Sequence, residues 1–197
     1  MINDFDELIG RHHANNAGFC RHYFTLYSII LGMEAKTVFE FGSGYSSKVI
    51  LKAMKETGGY LISCDVNPVQ MTSHSYSLDD KEMKESVRRW RYIQKRSYDA
   101  VRDLTNEVFD VVLHDGDHRW KVVASDLKAI IPRMKKNGIL LVHDMEHPTD
   151  NYQLNKALDV LPYKFSSVVL PYGYGLAICR IEEDFGNGAV EIKWRKK

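Results

Sequence analysis

The chain has 197 residues, of which 44% are hydrophobic and 27% charged, and its 27 Lys and Arg nearly balance 26 Asp and Glu for a formal net charge of +1. One ordinary domain fits that length and buries roughly 70% of its unfolded surface, so the composition excludes an intrinsically disordered chain. The near-neutral balance removes the main argument for a general nucleic-acid binder, which needs a basic excess or stripe.

Short apolar runs alternate with longer amphipathic ones. Phe24, Tyr27, Ile30 and Leu31 fall at helical spacing, which predicts a helix over about 19–33. Thr37-Val-Phe-Glu-Phe41 reads as a strand that ends at Gly42-Ser-Gly44. Val49, Ile50, Ala53 and Met54 give the next helix one apolar face, and Gly58-Gly59 stops it. Tyr60 to Cys64 is a second strand, closed by Asp65. A weaker helical pattern over 70–89 carries only Met83 and Val87, and Trp90 to Gln94 is a third strand. Phe109 to His114 and Gly138 to His143 are the fourth and fifth. Between them Val123, Leu127, Ile130 and Met134 mark a helix ending at Asn137-Gly138. Leu154, Ala157, Leu158 and Leu161 mark another, and Phe165–Leu170 and Gly175–Ile181 flank the turn Pro171-Tyr-Gly-Tyr174.

Strands alternating with helices predict an α/β fold, a Rossmann-like doubly wound sheet with helices on both faces. The final two strands are joined by a tight turn, which permits only antiparallel pairing, so the sheet is expected to be mostly parallel with an antiparallel last strand. The chain divides into an N-terminal helical segment (1–36), the main domain (37–181) and a polar C-terminal tail (182–197). Cys20, Cys64 and Cys179 form no CxxC pair, which argues against a disulfide framework or structural zinc. The start, MINDFDELIGRHH, has no basic stretch before an apolar run, and Tyr23–Met33 is too short to span a bilayer. A soluble, cytoplasmic protein with no membrane partner is the expectation.

Ligands in such sheets lodge beyond the carboxyl ends of the strands, where strand order reverses. Strand one delivers Gly42, Ser43, Gly44, Tyr45, Ser46 and Ser47 to that rim, and strand two Asp65. Strand three delivers Ser97 and Tyr98, strand four Asp115, Asp117 and His118, and strand five His143 and Asp144. The glycine loop permits close backbone approach, and an acid about twenty residues on can hold two ribose hydroxyls; together they argue for a nucleoside-containing ligand. No GxxxxGK[ST] string occurs, and Ser47 stands where the dinucleotide fingerprint has its third glycine. Glu40, just before the loop, suits a cationic ligand or else a buried, hydrogen-bonded acid. Asp115 and Asp144 end strands that, as neighbours, lie about 4.8 Å apart, so they can share a divalent ion with His143 as a third ligand, or simply cap the helices that follow. His118 is the acid–base candidate.

These strings, Val38-Phe-Glu-Phe-Gly-Ser-Gly44, Asp65, Phe109-Asp-Val-Val-Leu-His-Asp-Gly-Asp-His118 and Leu140-Leu-Val-His-Asp144, resemble the class I S-adenosylmethionine-dependent methyltransferases. More narrowly, they are similar to the small-molecule O-methyltransferase branch that includes macrolide-sugar methyltransferases and cephalosporin-hydroxylase-like proteins, over about residues 25–181. The resemblance implies a seven-stranded sheet and S-adenosyl-L-methionine as cofactor. Gly42 and Gly44 would approach its methionine part, Asp65 its ribose, and Ser97 and Tyr98 its adenine. It also implies Asp115 and Asp144 at metal positions and His118 as base; the oxygen ligands of the two carboxylates suit Mg²⁺ or Mn²⁺, and Asp115 is the expected base where no metal binds. His143 departs from the pattern, because metal-dependent relatives place an acid there. The expected partner is a small hydroxylated acceptor. Three alternatives stand beside this reading: a short-chain dehydrogenase, from Tyr152-Gln-Leu-Asn-Lys156; a methyltransferase-like binding module; and a nucleic-acid methyltransferase, from Arg88-Arg-Trp-Arg91, Lys95-Arg96 and Trp194.

Overall fold

The computed structural model describes residues 18–68, 88–149 and 152–182. The helical pattern at 70–89 up to residue 87, most of the C-terminal tail and the first 17 residues lie outside them, and residues 88–89 form a turn.

A 3₁₀ turn, Phe19–His22, leads into α1 (Tyr23–Gly32). Then follow β1 (Thr37–Phe41), α2 (Tyr45–Thr57), β2 (Tyr60–Asp65), β3 (Trp90–Gln94), α3 (Ser97–Arg102), β4 (Phe109–His114) and α4 (Trp120–Ile130). The chain closes with β5 (Met134–His143), α5 (Leu154–Asp159), β6 (Phe165–Leu170) and β7 (Leu176–Ile181).

The seven strands form one sheet in the order β3-β2-β1-β4-β5-β7-β6. β1 pairs in parallel with both β2 and β4, and β3 and β5 extend the parallel sheet outward. Only β7 runs against its neighbours, antiparallel to β5 and β6, as the short turn before it requires. Every residue of β1 is buried, the mark of a central parallel strand covered on both faces. On one face Tyr23, Leu26 and Ile30 of α1 pack with Val49, Ile50, Ala53 and Met54 of α2. On the other, Ala100 and Val101, Val123 and Leu127, and Leu154 and Leu158 bring in α3, α4 and α5. The sheet is therefore doubly wound, and strand order reverses between β1 and β4.

One boundary differs from the sequence expectation. The helix after β4 stops at Ile130, passes through a 3₁₀ turn at Ile131–Arg133 and gives way to β5 at Met134, not near Gly138. Pro132 has no N–H to continue the helical ladder, and Met134 pairs with Phe109 across a register shift instead.

Candidate active site

The reversal of strand order opens a cavity of about 890 Å³ beyond the carboxyl ends of β1 to β4. Of the residues the sequence assigned to a cofactor, Gly42, Ser43, Gly44, Tyr45, Ser46, Asp65, Ser97 and Tyr98 all line it, and so does Asp115. Gly42 makes the junction possible. Its φ of +81° lies in the left-handed region, and a Cβ there would stand 2.4 Å from the Asp115 carbonyl oxygen. Hydrogen bonds from Gly42 N to Cys64 O (2.9 Å) and from Asp115 N to Phe41 O (3.0 Å) tie three strand ends together.

Asp65 accepts from the backbone N–H of Ser43 (3.0 Å) through Oδ2 and of Asn67 (2.9 Å) through Oδ1. The carboxylate is thus oriented, while each oxygen keeps a lone pair for a hydroxyl donor. Glu40 is fully buried and does not itself line the cavity. Three hydroxyls donate to it, from Ser46 (2.6 Å), Ser47 (2.5 Å) and Ser63 (2.6 Å), and the Trp90 indole N–H donates to Ser63 (3.0 Å). Burial pushes the Glu40 carboxyl up to about 7 against those bonds. Glu40 meets the cavity through the hydroxyls of the lining residue Ser46 and of Ser47, which in turn bonds the lining residue Ser43; it is an acid satisfied by hydroxyls in place of backbone N–H groups.

Beside Asp115 lies a second cluster. His143, at the end of β5, is 3% exposed and places Nδ1 2.9 Å from Asp115 Oδ1 and 3.4 Å from Asp144 Oδ1. Its Nε2 is 2.7 Å from the Gly173 carbonyl oxygen, so that nitrogen donates. Burial opposes charge on His143, but the hydrogen bonds and charges of the two carboxylates outweigh it and push the imidazole up to about 10. Burial likewise works against Asp144, yet hydrogen bonds from His118 and His143 hold its carboxyl well below the usual range. Asp144 sits at φ +61°, an uncommon backbone for a non-glycine residue. The three ligand atoms of Asp115, His143 and Asp144 lie within 4.8 Å of one another. With Nε2 spent on Gly173, Nδ1 is the nitrogen able to ligate, and that donor set fits a divalent ion that accepts nitrogen.

His118 donates from Nδ1 to Asp144 Oδ2 at 2.6 Å, which leaves Nε2 as an acceptor, and its side chain is 37% exposed. The bond to Asp144 raises its pKa above the ordinary histidine value against the opposing effect of burial. The ring stacks on Tyr152 (centroids 4.9 Å, 17°), which in turn meets His147, and His147 meets Tyr174.

Sequence reading did not find the supports of this cluster. His22 holds the Tyr172 carbonyl through Nε2 (2.7 Å), and burial together with the nearby His143 charge lowers its pKa to about 4. Phe19 packs edge-on against His143 at 5.0 Å. Gly173, at φ +54°, lies where a Cβ would meet the Gly18 carbonyl at 2.4 Å. These contacts span some 150 positions of sequence, and no local signal marks them. Of the basic run, Arg91 pairs with Glu107 (2.7 Å) and Lys95 with Asp103 (2.6 Å), so part of its charge is neutralised within the chain. Trp194 lies outside the described residues. Among the described residues no helix is long and apolar enough to cross a membrane.

A cavity at the switch point, a glycine turn, an acid ending the second strand and an antiparallel seventh strand define the class I methyltransferase fold. Residues 39–145, more than half of the chain, match the family model described as a methyltransferase domain, and the chain belongs to that family. That membership overturns the dehydrogenase alternative; Tyr152 is the ring stacked on His118. Comparison with curated proteins gives no match. Among solved structures, the O-methyltransferase TomG from Streptomyces achromogenes, involved in tomaymycin synthesis and solved with S-adenosylmethionine, is 14% identical with a TM-score of 0.66, covering 90% of this chain and 89% of its own. The S-adenosylhomocysteine-bound methyltransferase PaMTH1 from Podospora anserina is 16% identical, TM-score 0.63, covering 92% and 87%. An O-methyltransferase from Bacillus cereus in complex with S-adenosylhomocysteine is 10% identical, TM-score 0.65, covering 90% of each. At these identities the likeness is one of fold.

Proposed function

We propose that the protein transfers the methyl group of S-adenosylmethionine to a hydroxyl on a small polar acceptor. The observation that carries this is the His118–Asp144 pair, which does not itself line the cavity but is joined to the cavity-wall residue Asp115 through His143. Asp144 accepts the hydrogen bond from Nδ1–H and fixes the tautomer, which leaves Nε2 as the base. The solved O-methyltransferases of the same fold support oxygen as the accepting atom.

In this reading the Gly42–Ser46 loop holds the methionine end of the cofactor, Asp65 the ribose hydroxyls, and Ser97 and Tyr98 the base. The sulfonium is already an activated donor, so alignment of the acceptor oxygen is the main task. His118 Nε2 removes the hydroxyl proton as the oxygen attacks the methyl carbon and the sulfur leaves as a neutral thioether. Asp115, His143 and Asp144 would hold the divalent ion, which when bound orients the hydroxyl and lowers its pKa.

The test is transfer of labelled methyl from S-adenosylmethionine to a panel of phenols, sugars and amines. Hydroxyl acceptors are expected to be labelled, and His118→Ala is expected to lower turnover by about 10²–10⁴ with cofactor affinity unchanged. Labelling confined to amines, or a His118→Ala variant as fast as the parent, would overturn the proposal.

A further inference from the structure

The base end of the cavity is built on a buried carboxylate that the reaction itself does not use. Asp126, on α4, is 1% exposed and stands at the cavity wall behind Ser97. The Ser97 hydroxyl donates to Asp126 Oδ1 at 2.7 Å. Asp126 Oδ2 lies 3.3 Å from His114 Nε2, at the buried end of β4. Ser97 is the donor of that pair, so its hydroxyl proton points at Asp126. With that proton committed to Asp126, Ser97 offers the cavity lone pairs alone. A serine without such a partner would rotate its hydroxyl to donate or accept as the ligand required.

We propose that Asp126 is a positioning residue that fixes Ser97 as an acceptor-only contact, and so selects a 6-aminopurine over a 6-oxopurine cofactor. The inference rests on the assignment of Ser97 to the base made above. A 6-amino group donates and satisfies the Ser97 lone pair. A 6-oxo group brings two acceptors face to face, and neither can be relieved without taking the proton from Asp126. His114 contributes by holding the second carboxylate oxygen, so that the side chain cannot swing away from Ser97.

The experiment is isothermal titration of the full chain with S-adenosylhomocysteine and with S-inosylhomocysteine, its 6-oxo counterpart. The parent is expected to prefer the amino compound by about tenfold or more, the cost of one unmatched hydrogen-bonding pair. Asp126→Asn can turn an amide N–H₂ toward Ser97 and release the hydroxyl proton toward the cavity. Its preference is expected to fall below about threefold. Ser97→Ala removes the contact and is expected to lose the preference in the same way, which keeps the test decisive if Asp126→Asn does not fold. A purely structural role for Asp126 would weaken both ligands alike and leave their ratio unchanged. That outcome would overturn the inference, as would a parent protein that binds the two equally. Failure to bind either compound would instead refute the cofactor assignment, and this inference with it.

Discussion

Replacing Gly42 with alanine attacks the point where the ends of β1 and β4 meet. The left-handed backbone at φ +81° costs an L-residue about 1–2 kcal/mol. The added Cβ would stand 2.4 Å from the Asp115 carbonyl oxygen and 2.9 Å from the Gly116 Cα, both backbone atoms that no rotamer change can move aside. Overpacking of that kind adds about 1–3 kcal/mol, so the variant should lose about 2–5 kcal/mol, a large share of the roughly 5–15 kcal/mol of an ordinary domain. Relief by shifting Asp115 would also move the wall of the cavity. Gly44→Ala is the matched control: its φ of −162° is extended backbone, and no heavy atom lies within 4 Å of the added carbon. It should stay within about 0.5 kcal/mol of the parent. Urea unfolding followed by circular dichroism, with S-adenosylhomocysteine titrated into each folded variant, measures both effects. A Gly42→Ala protein as stable as Gly44→Ala, with parental affinity, would refute the reasoning.

Three more outcomes follow from the site. Because Asp144 raises the His118 pKa, activity should climb with pH through a midpoint above 6.5, and Asp144→Asn should move that midpoint down toward 6.5; an unmoved midpoint would remove Asp144 from the role of orienter. Glu40 holds its proton more tightly folded than unfolded, so its contribution to stability is full below about 4.5 and falls as pH rises to about 7. Denaturation curves of Glu40→Gln should therefore lose part of the parent's decline across that window, whereas superimposable pH profiles would contradict the burial argument. Mn²⁺ titrated into the protein should bind more tightly as pH rises, since each ion must displace the proton on His143 Nδ1, and Asp115→Ala should abolish the binding; heat that persists in that variant would place the ion elsewhere.

The fold was legible because its signals are local. Val38-Phe-Glu-Phe41 and Leu140-Leu-Val142 are runs that only a doubly covered strand can bury, and Gly58 stops α2 in the left-handed conformation expected of a helix end. Asp65, Asp115 and Asp144 were legible because topology alone brings strand ends to one rim. Contacts made by folding at long range were not legible. His22, before the first helix, and His143, at the end of β5, grip the adjacent carbonyls of Tyr172 and Gly173. Asp126 is nearly two turns into α4 with nothing in its spacing to mark it, and only packing shows that it faces Ser97. The early start of β5 escaped for a related reason, since Met134 at helical spacing reads as one more turn until its pairing with Phe109 is known.

The central claim, that the hollow between β1 and β4 seats the cofactor, is most directly tested by a crystal structure grown with S-adenosylhomocysteine. The account predicts the homocysteine end over Gly42–Ser46, the ribose hydroxyls on Asp65 and the base beside Ser97, with the sulfur turned toward Asp115 and His118. Density for the nucleoside at any other place on the molecule, or a cavity still empty at saturating ligand, would contradict it.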